Sequence, residues 1–326
     1  MSSIYVPSCG AWFGTTGTPD LTSAEGVAGR TADLFRQYKS FASYAGTSPF
    51  PGQTAQAAID SGHMYFFSWK PRLADGSAVP WARVADGSMD AAYVDVLARK
   101  IRSWSATHGG KKVFMAFHHE PENDVGPYGS PADYVRAWRH VNDRFVALGA
   151  RSAVIFVWVM SGYQTRVHLW NSLYPGDDVV DWVGWDPYGR TQYTPPTGSV
   201  VPFLTALGED QGTSPDTTGW YRFYKWATGV GAQDSASGQT FAKDGSHTKP
   251  IMVAEFGVCW NTATLSQATQ WYADAASSLG ADRYPLVKAF THFNVYDCFQ
   301  PTGSAAMKAN FRAAVSVSRL QQTRPY

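Results

Sequence analysis

Short apolar runs rich in β-branched and aromatic residues alternate along this 326-residue chain with longer stretches of helical period. That alternation is the pattern of a parallel sheet whose strands are joined by crossover helices. Eight such runs can be read, at 4–6, 34–38, 64–68, 113–117, 154–159, 179–185, 251–254 and 287–293. The segments between them carry helix punctuation. Ser130-Pro131-Ala132-Asp133 sets a side-chain cap, a proline whose φ is already helical, and an acid in the first turn; Tyr134, Ala137, Trp138, Val141, Phe145 and Leu148 then recur on one face until Gly149. Tyr93, Leu97, Ile101 and Trp104 follow Ser88 at the same spacing, and Leu265, Ala268, Trp271, Tyr272, Ala275 and Leu279 lead from Thr264 to Gly280. The expected architecture is α/β: a (β/α)8 TIM barrel that takes residues 1–326 as a single domain, since such barrels occupy about 250 residues or more as one unit. Between the sixth and seventh runs, residues 189–250 are rich in Gly, Pro, Ser and Thr, with helical character only at 201–207 and 219–227. A long loop there would cover a cleft or be partly disordered.

Charge and length exclude several classes of partner. A net charge of +1, with no basic cluster beyond pairs such as Lys111-Lys112, leaves no electrostatic footprint for nucleic acid. The longest apolar run, 153–160, is too short to span a bilayer, so no membrane partner is expected. Met1-Ser2-Ser3-Ile4-Tyr5 lacks the charged and apolar regions of a signal peptide. Location is left open on that ground, with action outside the cell expected. Cys9, Cys259 and Cys298 are odd in number, far apart and without paired metal spacing; they read as small buried residues rather than as a disulfide framework or a zinc site. No cofactor and no metal are expected.

Two glutamates stand where barrel chemistry is usually found. Glu120, in Phe117-His118-His119-Glu120-Pro121, closes the fourth run, and Glu255, in Val253-Ala254-Glu255-Phe256-Gly257, closes the seventh. Catalytic residues of these barrels come from the C-terminal ends of the strands and the loops after them. A carboxylate among apolar residues is costly without a partner or a function, although either one alone could be a solvated strand end or an ion-pair partner. Retaining cleavage of a glycosidic bond needs an acid and a carboxylate nucleophile about 5–5.5 Å apart. Partial desolvation and a neighbouring charge would raise the Glu120 pKa as a general acid requires, while ionised Glu255 would attack the anomeric carbon. Tyr188, just past Trp185-Asp186, is placed to donate a hydrogen bond at the barrel mouth. Aromatic residues make up 15% of the chain and must fill a core or line something. Sugar rings present an apolar C–H face to such rings. Trp12, Trp69, Trp158, Trp185, Trp260 and His292 lie at or just beyond strand ends and are the expected substrate-binding platforms, Trp69 and Trp260 foremost, though each alone could be core.

The run ending His119-Glu120, the run Ala254-Glu255-Phe256-Gly257, and Asp181-Trp182-Val183-Gly184-Trp185-Asp186-Pro187-Tyr188 together resemble glycoside hydrolase family 26. That family belongs to the clan of retaining (β/α)8 hydrolases and contains mainly endo-β-1,4-mannanases, with some β-glucan and β-xylan hydrolases. The resemblance implies that Glu120 is the acid/base and Glu255 the nucleophile. It further implies that Tyr188 hydrogen-bonds the nucleophile and that His119 orients the sugar or the carboxylates. A polysaccharide or oligosaccharide substrate, double displacement and a monomer are the corresponding expectations. Two departures bear on the sugar: His118-His119-Glu120-Pro121-Glu122-Asn123 around the acid/base, and Thr291-His292-Phe293-Asn294 where the family's mannanases usually place a tryptophan near the end of strand eight. They leave β-glucan, xylan or a microbial cell-wall or capsule glycan as alternatives. Two rival functions are a non-catalytic carbohydrate-binding barrel and a metal-dependent hydrolase using His118, His119, Glu120 and Glu122. Against the latter, consecutive strand residues point to opposite faces, so His118 and His119 would not share one ion.

Overall fold

The structure, a computed structural model, describes residues 4–162, 164–189, 192–193, 196–197, 200–207, 223–234, 237–243, 249–281 and 284–325. Eight strands form a closed barrel: β1 Trp12–Thr15, β2 Leu34–Ser40, β3 Met64–Lys70, β4 Val113–Phe117, β5 Val154–Met160, β6 Trp182–Trp185, β7 Ile251–Phe256 and β8 Val287–His292. They are hydrogen-bonded in the order β1-β8-β7-β6-β5-β4-β3-β2. The β1/β2, β1/β8, β3/β4, β4/β5 and β7/β8 pairs are parallel. The fold class is therefore the (β/α)8 barrel expected from the alternation.

The strand sequences show why. Every residue of β5, Val-Ile-Phe-Val-Trp-Val-Met, is buried, as is every residue of β4. A parallel strand covered on both faces reads as a continuous apolar run rather than an alternating one. The connecting helices are α1 Leu21–Ala28, α2 Gln53–Asp60, α3 Asp95–Thr107, α4 Pro131–Ala147, α5 Val167–Leu173, α6 Leu265–Gly280 and α7 Ala305–Val315. At α4 the expected cap is made: Ser130 Oγ accepts from the Asp133 N–H at 3.2 Å, and the Asp133 carboxylate accepts from the Ser130 N–H at 2.9 Å.

The first strand is not at 4–6. Those residues are half-buried, and Tyr5 has a left-handed φ of 47°. The strand is Trp12–Thr15, whose apolar run is interrupted by Gly14. A Cβ on Gly14 would stand 2.8 Å from Thr291 Oγ1 and 3.1 Å from Leu34 Cβ, so the close approach of both neighbouring strands requires the residue that masks the pattern. The cysteines also differ from expectation. Cys259 and Cys298 form a disulfide, and Cys9 is exposed. Parallel pairing of β7 with β8 brings the segments after them together across 39 residues of sequence.

In the 189–250 region the described parts include short helices at Phe203–Leu207 and Phe223–Ala227, and paired two-residue strands at Gln192–Tyr193 with Pro196–Thr197 and at Ala232–Gln233 with Thr240–Phe241. Residues 208–222 and 244–248, including the start of the helical stretch expected at 219–227, lie outside the described residues. The chain clusters into two compact units. One comprises Met1–Phe35, Gly162–Val167 and Gly184–Pro325; the other comprises Arg36–Ser161 with His168–Val183.

Candidate active site

Glu120 and His119 belong to the unit that holds β3, β4 and β5. Strand β4 ends at Phe117, so Glu120 does not close the strand as expected but lies three residues beyond it. His118 and Glu120 both adopt left-handed backbone, with φ of 48° and 54°. For residues with a Cβ this costs of order 1–3 kcal/mol each and persists only where surroundings hold it. The flanking strands supply two holds: the His118 N–H donates to the Trp69 carbonyl at 3.0 Å, and the Glu120 N–H donates to the Val159 carbonyl at 2.8 Å. The backbone thus stays bonded to β3 on one side and to β5 on the other after the strand itself has ended. A short 3-10 turn, Pro121–Asn123, follows, and Asn123 Nδ2 donates to Glu120 Oε2 at 3.3 Å. Glu122 is fully buried and accepts from the Ser161 N–H at 2.7 Å and its hydroxyl at 2.8 Å.

His118 and His119 face different surroundings, although strand alternation is not the reason, since β4 ends at Phe117 and His118 has left-handed backbone. The buried His118 ring accepts from Trp81 Nε1 through Nδ1 at 2.8 Å and meets Asp124 Oδ2 through Nε2 at 2.7 Å. Lys70 Nζ reaches the same Asp124 oxygen at 2.6 Å. The His119 ring lies 5.4 Å from the Tyr38 ring, tilted by 47°, and its Nδ1 is buried with no hydrogen-bond partner among the described residues. Burial, and then the Arg36 charge, hold the His119 pKa well below the ordinary histidine value. The Arg36 guanidinium carbon stands 5.1 Å from the Tyr38 ring and 4.6 Å from that of Phe66.

Glu255 and Tyr188 belong to the other unit. Glu255 is the fifth residue of β7 and is 4% exposed. The Tyr188 hydroxyl donates to its Oε2. The backbone aligns the two groups: Tyr188 forms a parallel bridge with Gly257, and the Gly189 N–H donates to the Gly257 carbonyl at 2.8 Å. The Tyr188 ring packs against both Phe293 and Phe299, at 5.5 and 5.3 Å. A Cβ on Gly257 would meet Phe299 at 2.9 Å, so the glycine is part of the same packing.

The expected tryptophan platforms are corrected by the structure. Trp12, Trp69, Trp158 and Trp185 are all 0% exposed. Trp69 stacks on Phe41 at 4.3 Å, Trp158 packs against Tyr174 at 5.1 Å, and Trp185 stacks on Phe223 at 5.4 Å. In a closed barrel one strand face fills the interior and the other meets the helices, so a ring on either face is core. His292 is buried too; its Nε2 lies 3.2 Å from the Tyr272 hydroxyl, and burial takes its pKa down to about 3. Trp260 is half-buried, with its indole N–H donating to the Gln300 carbonyl at 2.7 Å. Among the described residues the exposed rings are ones the tryptophan pattern passed over: Tyr38, 36% exposed beside His119, and Tyr296, 47% exposed against Phe293. Position just past a strand end was the available signal for Tyr296. Tyr38 lies in the second half of β2, between half-buried Gln37 and Lys39, where the tryptophan pattern did not reach.

Comparison with known proteins places these features in a family context. Residues 113–229 match the family model of glycosyl hydrolase family 26. Endoglucanase H of Acetivibrio thermocellus is 22% identical over 332 residues, an alignment spanning 96% of this chain and 31% of that protein. A β-1,3-xylanase of a Vibrio species is 31% identical over 104 residues, covering 31% of this chain and 21% of its own length. The chain thus spans less than a third of the length of either relative. Among solved structures, the family 26 β-mannanase of Bacteroides ovatus superposes with a TM-score of 0.61 at 16% identity, over 96% of this chain and 90% of that one. The endo-β-1,4-mannanase of Cellulomonas fimi does so at 0.60 and 19% identity, over 94% and 70%.

Proposed function

We propose, from the match of residues 113–229 to the family model of glycosyl hydrolase family 26, that the chain is a retaining glycoside hydrolase that cleaves a β-linked polysaccharide internally, in the manner of an endo-β-1,4-mannanase. The observation that carries the reading is the Tyr188 hydroxyl donating to the buried carboxylate of Glu255 near the end of a parallel barrel strand. A phenol hydrogen-bonded to a carboxylate fixes its orientation, as a nucleophile aimed at an anomeric carbon requires. In this reading Glu120 protonates the leaving oxygen while Glu255 forms the glycosyl-enzyme bond. Glu120 then takes a proton from the water that releases the sugar, and the anomeric configuration is retained. His119 and the exposed Tyr38 beside it contact the sugar. The barrel acts as one catalytic domain and as a monomer.

A β-glucan is the second candidate substrate, since the relative aligned over 96% of the chain is an endoglucanase. Incubation with β-mannan, mixed-linkage β-glucan, β-1,4- and β-1,3-xylan and bacterial cell-wall glycan, with sizing of the products, separates these substrates. Glu255→Ala abolishes turnover while leaving oligosaccharide binding intact, and added azide yields a glycosyl azide of inverted configuration. A Glu255→Ala protein that hydrolyses at the wild-type rate would remove Glu255 as the nucleophile.

A further inference from the structure

Glu120 sits inside a loop that closes on itself. Its first residue, His118, and its last, Asp124, are joined by the 2.7 Å contact between His118 Nε2 and Asp124 Oδ2. The direction of that bond is determined by Trp81. An indole N–H can only donate, so the 2.8 Å contact from Trp81 makes His118 Nδ1 the acceptor. The single proton of a neutral ring is then on Nε2 and points at Asp124. The ring is wholly buried, and burial brings its pKa down to about 4, so it stays neutral in this tautomer. Asp124 is kept ionised: against the upward pull of burial, hydrogen bonds from His118 and Lys70 hold its pKa down to about 2. Lys70 donates to the same Asp124 oxygen, and its ammonium also lies 5.3 Å from the Tyr128 ring, which packs 4.5 Å from His118. Within this closed loop lie the two left-handed residues, His118 and Glu120.

We propose that His118 and Asp124 are positioning residues for the acid/base step: their bond closes loop 118–124, holds the Glu120 backbone left-handed, and so sets the direction in which the Glu120 carboxyl leaves the chain. Neither touches the sugar; both act through Glu120. The proposal rests on the reading of Glu120 as the acid/base.

Leaving-group dependence tests it, because an activated aryl glycoside departs without protonation whereas a sugar does not. The value of kcat/KM is measured on an oligosaccharide of the preferred polymer and on the dinitrophenyl glycoside of the same sugar. Glu120→Gln serves as the reference and loses activity on the oligosaccharide alone. Asp124→Ala follows the same split, with a loss of about tenfold to a hundredfold on the oligosaccharide and less than about threefold on the aryl glycoside. Asp124→Asn, whose amide oxygen still accepts from His118 Nε2, retains most of the activity on both. Should Asp124→Ala fail to fold, Trp81→Phe removes the indole donor that sets the tautomer while keeping an aromatic ring at the position, and it shows the split in milder form. Equal losses on both substrates, or none, in Asp124→Ala or, where that does not fold, in Trp81→Phe overturn the positioning role while Glu120→Gln still splits. A Glu120→Gln protein that loses both activities equally overturns the acid/base reading instead.

Discussion

At the scale of single residues, the candidate site depends on how each carboxylate is held rather than on which residues surround it. Glu255 is buried within β7 and takes a hydrogen bond from Tyr188, whose ring packs against two phenylalanines. A hydrogen bond to a charged group contributes about 1.5–3 kcal/mol, which corresponds to roughly tenfold to a hundredfold in rate if it is needed as Glu255 reacts. Tyr188→Phe should therefore lower kcat by that factor while keeping the melting temperature within a few degrees, since the ring still packs on Phe293 and Phe299. Kinetics and a thermal melt of the same preparation check this, and an unchanged kcat would remove Tyr188 from support of the nucleophile. Glu120 is held differently, by a left-handed backbone bonded to both flanking strands. A strained conformation of this kind concentrates at sites where direction matters more than stability.

At the scale of elements, the loops after β7 and β8 are tied together by several independent bonds. Cys259 and Cys298 join them covalently, the Trp260 N–H donates to the Cys298 carbonyl at 2.9 Å, and the Trp260 indole donates to the Gln300 carbonyl. Phe293 and Phe299, which hold Tyr188, are carried by the second of these loops. A cross-link spanning 39 residues restricts the unfolded chain enough to stabilise the fold by roughly 3–4 kcal/mol on the loop-entropy account. Replacing both cysteines by alanine should remove about that much, read from denaturant unfolding. A loss of less than about 1 kcal/mol would mean that the Trp260 bonds hold the loops without the cross-link. The helices are stabilised more locally: the Ser130–Asp133 capping box satisfies the first turn of α4 with groups from that same turn.

At the scale of the whole molecule, buried histidines link stability to pH. Burial lowers the His118 pKa to about 4 and that of His292 to about 3. The unfolded chain takes up these protons near pH 6.5, whereas the folded chain does not until pH falls to about 4 and 3. Stability is therefore complete above about pH 6.5 and falls as the pH drops below it, by at most about 1.4 kcal/mol per pH unit for each of His118, His119 and His292 while it stays neutral in the fold. Asp124, depressed to about 2, adds a further loss below about pH 4. Chemical denaturation at a series of pH values measures the slope, and a flat profile from pH 6 to 4 would contradict the burial of neutral histidines. The same division between local and long-range effects explains what was legible in the chain. Strand and helix periods, the Ser130 cap and the strings around Glu120, Glu255 and Tyr188 are short-range features, and by themselves they determined the barrel class, seven of its eight strands and the candidate residues. Folding decided the rest. It placed the first strand at Trp12–Thr15 around a glycine that only two close neighbours demand, paired Cys259 with Cys298, buried four of the tryptophans expected to line a cleft while leaving Tyr38 and Tyr296 exposed, and brought Lys70 to Asp124 across 54 residues. These outcomes depend on contacts between segments far apart in the chain, and a contact of that kind leaves no periodic mark on either segment alone.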